Sequence, residues 1–128
     1  MPAFYAGFGC RRGCPADTLQ RVLCQALDNL DLALADLRGI ASISLKADEP
    51  GLQQLAERLG LPLVLYHSEQ LQAYEPLLSH RSATAYAHTG CWAVAESAAL
   101  ALASQQPGTP RLLLTRQVLG PATLALAC

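Results

Sequence analysis

The apolar positions of the chain fall into short continuous runs that alternate with segments of helical spacing. Residues 3–9 are apolar on both faces, which predicts an inner parallel strand. Leucine, valine and alanine then recur at helical spacing over residues 15–30, behind a proline, and predict the first helix. A second, short helix is predicted over residues 32–38, between a capping Asp31 and a terminating Gly39.

A second strand is predicted over residues 40–45, where apolar and small polar residues alternate. The polar cluster of residues 46–51 follows, and a helix then runs to Gly60. Asp48 or Glu49 is expected to cap this helix, which has a proline in its first turn. Because the carboxyl ends of parallel strands share one edge of a sheet, we expect this second turn to lie beside the first.

The middle of the chain is less regular. Residues 61–66 predict a third strand, and Ser68 is expected to cap a short helix over residues 69–73. Residues 74–89 have no periodicity and are expected to form a mobile lid or an irregular excursion. A helix rich in small residues is expected from Gly90 to about Ser104.

The chain ends in two more apolar runs. Residues 111–115 and 122–127 predict a β-hairpin with Arg116 on the side of its tip. Strands that alternate with helices and end in a hairpin predict the fold class α/β, a three-layer α/β/α arrangement with a mixed, mostly parallel sheet and a C-terminal antiparallel hairpin. Because 128 residues is the usual size of one domain, residues 1–128 are expected to form a single domain.

Composition narrows the possible functions. Hydrophobic residues make up 52% of the chain and charged residues 15%, which favours a packed fold over disorder. A net charge of −1 and the lack of a basic stripe argue against nucleic acid, and no apolar run reaches the length of a membrane span. With no secretory signal pattern, a cytoplasmic location is expected. The five cysteines are an odd number, so most are expected to be free thiols.

The turn after the first strand is the strongest candidate for chemistry. It reads Gly7, Phe8, Gly9, Cys10, Arg11, Arg12 and Gly13. Glycines let a ligand approach the backbone, the free amides at a helix start favour negative charge, and arginines suit carboxylate or phosphate. The spacing matches neither the dinucleotide fingerprint nor the P-loop. The turn predicts an anion site, and the alternative is a structural turn with solvated arginines.

The second turn carries Lys46, the single lysine of the chain, followed by Asp48 and Glu49. This group could hold an anionic ligand or act in acid–base chemistry. Equally, Lys46 could be a surface residue paired with Asp48. Charge clusters at helix starts are common because acidic residues cap helices, so the motif alone leaves both interpretations open.

A zinc site is a further alternative. Cys10 and Cys14, together with His88 and Cys91, could supply a tetrahedral set of ligands. The spacing of the first two cysteines is loose, and the histidines fall on predicted loops or strand ends. We therefore predict no metal and no other cofactor.

Three successive motifs carry a family resemblance: residues 7–13, residues 44–52, and Gly90 with residues 94–96. Together they resemble the cobalamin-biosynthesis CobE family, which is also the C-terminal domain of CbiG. The resemblance covers nearly the whole chain. It departs from the family pattern in the last loop, where Arg116 stands in place of an expected lysine.

The resemblance implies a role at the corrin-ring stage of cobalamin (vitamin B12) biosynthesis, around the precorrins that are methylated and contracted. In CbiG the domain accompanies an N-terminal portion, and the whole protein opens a ring lactone of a cobalt-precorrin and releases acetaldehyde. No such N-terminal portion is expected here. The resemblance therefore favours the stand-alone form of the aerobic, oxygen-dependent route.

A precorrin binder needs cationic or amide-rich turns beside an apolar floor, because precorrins carry acetate and propionate groups around a flat apolar ring. The apolar floor is expected from Phe8, Trp92 or Leu119. The expected ligand-binding residues are Gly7, Gly9, Cys10, Arg11, Arg12, Gly13, Lys46, Gly90, Glu96 and Arg116.

Two functional hypotheses follow. The favoured one is a module that binds a precorrin tetrapyrrole and holds it or passes it on. The alternative is an enzyme, hydrolase or lyase-like, that acts on the ring lactone or two-carbon fragment of a precorrin through Lys46, Asp48 and Glu49. The expected partners are the tetrapyrrole and other enzymes of the cobalamin pathway, with no nucleic acid and no membrane.

Overall fold

Strand β1, Phe4–Cys10, lies at the centre of a five-stranded mixed sheet. It pairs in parallel with β2, Leu37–Ile43, and β2 pairs in parallel with β3, Leu63–Tyr66. On its other side β1 pairs antiparallel with β5, Ala122–Ala127, which pairs antiparallel with β4, Leu112–Leu119. The resulting order is β3-β2-β1-β5-β4, with the C-terminal hairpin at one edge.

Within residues 3–128, which the computed structural model describes, helices cover both faces of this sheet. They are α1 (Ala16–Leu30), α2 (Pro50–Leu59), α3 (Ser68–Gln72), α4 (Ala83–Thr89) and α5 (Val94–Ala103). Side chains of β1 alternate between two cores: Phe4 and Phe8 pack with α1 and α2, and Tyr5 packs with α5. The predicted fold class is confirmed.

Gly7 brings α5 unusually close to the sheet. A Cβ atom at Gly7 would overlap the backbone of Ala95 and Ala99, both on α5. The residues of α5 from Ala95 to Ala103 are buried, and most are alanine, so this helix can lie directly on β1. The glycine that was expected to approach a ligand therefore makes a packing contact.

The prediction of a helix over residues 32–38 is wrong. Only a 3₁₀ turn forms there, Leu34–Asp36, and Leu37 already belongs to β2, where it pairs with Phe4 of β1. Strand pairing thus overrides a local pattern that fits a helix. Asp31 does not start this segment but ends α1 in the left-handed region, with φ 55°.

Residues 74–89 are more regular than expected. They contain a 3₁₀ turn, Glu75–Leu77, and α4, whose first turn is capped by the Ser82 side chain. Gly90 does not begin a helix; it ends α4 with φ 74°, and α5 begins at Val94. Similarly, His67 rather than Ser68 holds the cap position of α3.

Strand β4 is longer than expected, and Arg116 lies within it rather than at the hairpin tip. The register with β5 shifts between Leu114 and Gln117, where three steps along β4 match two along β5. This irregularity lets the Arg116 N–H donate to Glu96 of α5 instead of to β5. The chain reverses only at Gly120 and Pro121.

No helix within residues 3–128 combines the length and the apolar character needed to cross a membrane.

We expect Gly7→Ala to lower the free energy of unfolding by about 1–3 kcal/mol, because the new methyl group would overlap α5 backbone that cannot move away. Gly39→Ala in β2 is the matched control, since its methyl group would meet the flexible end of Leu102 at 3.2 Å. Urea unfolding of both variants checks this. Equal losses in the two variants would contradict the close-packing role of Gly7.

Candidate ligand-binding site

A cavity of about 480 Å³ opens at the carboxyl end of β1, beside β5. From β1 the chain first builds outward to β2 and β3, and it later returns to the other side of β1 to form β4 and β5. Strand order therefore reverses next to β1. In open α/β sheets, the crevice outside the strand ends at such a point is the usual position of a ligand.

Four permanent cations line this cavity: Arg11, Arg12, Lys46 and Arg116. They reach it from the turn after β1, from the 3₁₀ turn after β2 and from β4. Among residues 3–128, none of the four pairs with a carboxylate, and no Asp or Glu is among the lining residues. The uncompensated positive charge favours an anionic ligand.

Trp92 gives the cavity an apolar wall. Its indole stacks on Tyr86 of α4, with 4.3 Å between the ring centroids, so its orientation is fixed. The other two residues expected to form the floor face elsewhere. Phe8 is fully buried in the core beneath α1 and α2, and Leu119 packs against the same core.

Glu49 joins the two turns that carry the cations. It holds the cap position of α2, as expected, but its side chain makes no cap hydrogen bond. Instead its carboxylate accepts a hydrogen bond from the Gly13 N–H at 3.1 Å. Gly13 has φ 79°, a left-handed conformation in which glycine is unstrained. This contact fixes the turn that holds Arg11 and Arg12 against the turn that holds Lys46.

Glu96 is fully buried in the first turn of α5 and connects two further walls of the cavity. It accepts hydrogen bonds from the Ser79 N–H at 2.8 Å, from the Ser79 hydroxyl, and from the Arg116 N–H at 2.9 Å. Burial opposes ionisation of Glu96, but the hydrogen bonds from Ser79 and Arg116 outweigh it and lower the pKa of this carboxyl. Glu96 is therefore ionised at neutral pH.

Cys10 lines the cavity as a thiol. Burial raises its pKa to about 11, and the opposing influence of Lys46 is too small to reverse this. Since the thiolate is the nucleophilic form of cysteine, Cys10 is not activated for covalent catalysis at neutral pH.

The structure brings most of the expected ligand-binding residues together. Those that line the cavity are Gly9, Cys10, Arg11, Arg12, Lys46 and Arg116. The other four expected residues do not line the cavity. Gly7 packs on α5, and Gly13 donates to Glu49. Gly90 ends α4, and Glu96 is buried beneath the cavity wall.

The three residues proposed for catalysis are separated. Lys46 lines the cavity, whereas Asp48 and Glu49 do not. The alternative in which Lys46 pairs with Asp48 is not found among the ion pairs of residues 3–128.

His80 is a cavity residue that the sequence did not reveal. It lies in the part of the chain without periodicity, and only the tertiary structure places it beside Glu96, with 3.4 Å between Nδ1 and Oε2. No local spacing pattern could have identified this contact, because the two residues belong to different elements.

The cysteines and histidine considered as zinc ligands do not form such a site. In the part of the chain from residue 3 onward, no group of three or more His, Cys, Asp or Glu side chains is arranged to hold a metal ion. Cys91 is buried, and its thiol instead donates to the Ser97 hydroxyl at 3.4 Å.

Fold and cavity together define a class: an α/β protein with an open, cation-lined site at the reversal point of its sheet, suited to an anionic ligand with an apolar body. Residues 4–127 match the family described as cobalamin synthesis G C-terminus. The chain belongs to this family of cobalamin biosynthesis, which confirms the resemblance found in the sequence motifs.

Individual relatives agree with this assignment. The chain is 35% identical over 121 residues to Protein CobE of Sinorhizobium sp, covering 94% of this chain and 77% of that protein. The solved structure of CobE, a protein from the cobalamin (vitamin B12) biosynthetic pathway, is similar with a TM-score of 0.93 at 44% identity, covering 99% of this chain and 92% of that one. The cobalt-precorrin-5A hydrolase of Priestia megaterium is 29% identical over 94% of this chain, which spans only 31% of that protein.

We expect Glu96→Gln to lower the free energy of unfolding at pH 7 by about 1–3 kcal/mol, because an amide NH₂ would then face the donors of Ser79 and Arg116. Glu57→Gln, at an exposed position of α2, is the control and should change little. Urea unfolding of both variants measures the difference.

The same pair of variants tests the charge of Glu96 through pH. The pKa of the Glu96 carboxyl is lower in the folded protein than its ordinary value of 4.5, so its charge stabilises the fold fully at pH values above 4.5. This stabilisation is lost as the pH falls through the pKa of the folded state. The stability gap between wild type and Glu96→Gln should therefore shrink between pH 7 and pH 3. A gap that stays constant or widens in acid would contradict an ionised Glu96.

Proposed function

We propose that this chain binds a precorrin-type tetrapyrrole of the aerobic cobalamin pathway in the cavity beside β1, and that it holds the ligand or passes it on. One observation carries the proposal. Four cations from three separate elements converge on one cavity whose lining, within residues 3–128, contains an indole and no carboxylate.

The chemistry of the ligand class fits this lining. A precorrin carries acetate and propionate groups at the rim of an apolar macrocycle. The guanidinium groups of Arg11, Arg12 and Arg116 can each receive a carboxylate in a two-point contact, and Lys46 offers a point charge. The face of Trp92 can support the macrocycle.

The open side of the cavity suits a carrier. A pocket of about 300–1,000 Å³ encloses a ligand of ordinary drug size, and a tetrapyrrole with its acidic side chains is larger than such a ligand. Most of a tetrapyrrole would therefore remain outside a cavity of about 480 Å³. The exposed part would be accessible to another enzyme of the cobalamin pathway. We propose such enzymes as the protein partners of this chain.

An enzyme, hydrolase or lyase-like, is the second candidate, and the name of the cobalt-precorrin-5A hydrolase relative favours it. The cavity holds only part of the acid–base set proposed for it, although His80 and His88 also line it. Of the three proposed acid–base residues only Lys46 is present there, and the Cys10 thiol is protonated. We therefore favour binding.

A visible-absorbance titration with precorrin intermediates of the ring-contraction stage tests the proposal. Wild type should bind saturably, and Arg11→Ala and Lys46→Ala should each weaken binding by about 10-fold to 100-fold, the value of one charged hydrogen bond. Arg21→Ala, at an exposed position of α1, removes the same charge away from the cavity and should bind like wild type.

Two other outcomes are informative. If Arg21→Ala weakens binding as much as Arg11→Ala, the ligand responds to overall charge and the cavity is not its site. Mass spectrometry of the bound ligand separates the two candidate functions, since a carrier returns the intermediate unchanged and an enzyme converts it.

A further inference from the structure

Two further recesses adjoin the cavity that the cations line. One, of about 420 Å³, shares His88 and Thr89 of α4 with the cavity, and we call it the His88 recess. The other, of about 350 Å³, shares Arg12 with the cavity and is also lined by Asp48, and we call it the Asp48 recess. The concave surface at the carboxyl ends of the strands is therefore wider than the cavity itself.

Leu45 lines both recesses, and the next residue, Lys46, lines the cavity. The side chain of Leu45 is 63% exposed, and within residues 3–128 it belongs to neither of the two cores. Core packing thus gives no reason for a leucine at this position. An apolar side chain of this size gains free energy when a ligand removes it from water.

Exposure by itself does not mark a ligand contact, because single exposed leucines are normal on protein surfaces. Leu34 is also exposed, by 48%, and it lies in the 3₁₀ turn before β2, as Leu45 lies in the 3₁₀ turn after β2. The two leucines are therefore at opposite ends of the same strand. Leu45 differs from Leu34 in its position beside the cavity, and this position is what suggests a ligand contact.

The turn that carries Leu45 is held in place by hydrogen bonds. The Ser44 hydroxyl oxygen is 3.2 Å from Nδ1 of His67, which follows β3. The Ala47 N–H donates to the Ser44 carbonyl at 3.0 Å, and the Gln53 side chain donates to the Ala47 carbonyl at 2.6 Å. Because the turn is already ordered, a contact between Leu45 and a ligand would cost little conformational entropy.

The recesses differ from the cavity in charge. The His88 recess is lined by one carboxylate, Glu69, and by no Lys or Arg, and the Asp48 recess adds Asp48 and Glu49 to the shared Arg12. Ligand carboxylates are attracted by the four cations of the cavity and repelled by these acidic residues. An uncharged, apolar part of a ligand is what suits the surface around Leu45.

We propose that Leu45 and the His88 recess form a second subsite, which receives the apolar face of a tetrapyrrole whose carboxylates bind in the cavity. Leu45 then contacts a part of the macrocycle that the cavity does not enclose. The opposite face of the macrocycle stays open to a partner enzyme. The subsite rests on the proposed function, because it requires a ligand that is larger than the cavity.

A visible-absorbance titration with uroporphyrin tests the subsite. Uroporphyrin is a stable tetrapyrrole whose pyrrole rings all carry acetate and propionate groups. Leu45→Ser should weaken binding by about 10-fold, because it removes most of the apolar contact and none of the cations. Leu45→Met should bind nearly as tightly as wild type, since methionine keeps an apolar side chain of similar size.

Leu34→Ser is the matched control, since it makes the same substitution in an exposed 3₁₀ turn away from the cavity. It should bind uroporphyrin like wild type. NMR of the leucine methyl groups gives a direct measurement of contact. The Leu45 methyl signals, identified by their loss in Leu45→Met, should show ring-current shifts when uroporphyrin binds, and the Leu34 methyl signals should not.

The outcomes distinguish the subsite from the proposed function. The subsite is overturned if Leu45→Ser binds like wild type, if Leu34→Ser loses as much affinity, or if the Leu45 methyl signals do not move. In each of these cases wild type still binds the tetrapyrrole, and the proposed function stands. A wild type that binds neither uroporphyrin nor a precorrin would remove both.

Discussion

The buried carboxylate of Glu96 is the contact on which the candidate site depends. It lies in the first turn of α5 and receives backbone N–H groups from Ser79 and Arg116, which belong to segments far apart in the sequence. These bonds satisfy a charge that burial alone would make costly, and they hold the segment before α4 and the irregular part of β4 against one helix. The walls of the cavity are thereby fixed relative to each other.

The same principle explains why the cavity remains cationic. Two carboxylates lie close to it, and both are engaged by backbone donors: Glu96 by Ser79 and Arg116, and Glu49 by Gly13. Neither forms an ion pair with the arginines of the cavity or with Lys46 within residues 3–128. The two carboxylates thus hold elements of the fold together, while the four cations at the cavity remain without a carboxylate partner among the ion pairs of residues 3–128.

Local sequence patterns predicted the elements whose structure depends on residues close together in the chain. The apolar run of β1, the spacing of α1 and the glycine-arginine turn were found because each is encoded within a few residues. The irregular step of β4 at Arg116 and the pairing of His80 with Glu96 depend on contacts between distant segments. Gly7 shows the limit most clearly, since a glycine that serves helix packing looks the same in a sequence as one that serves a ligand.

A ¹H–¹⁵N NMR titration with a precorrin tests the central claim most directly, that the tetrapyrrole occupies the cation-lined cavity. The chain has a single tryptophan, and Trp92 lies on the cavity wall, so its indole N–H is a unique local reporter. Ring-current shifts should be largest for this signal and for the backbone amides of residues 9–12. Saturable binding with the largest shifts at the opposite end of the sheet, near residues 34–38, would contradict the account.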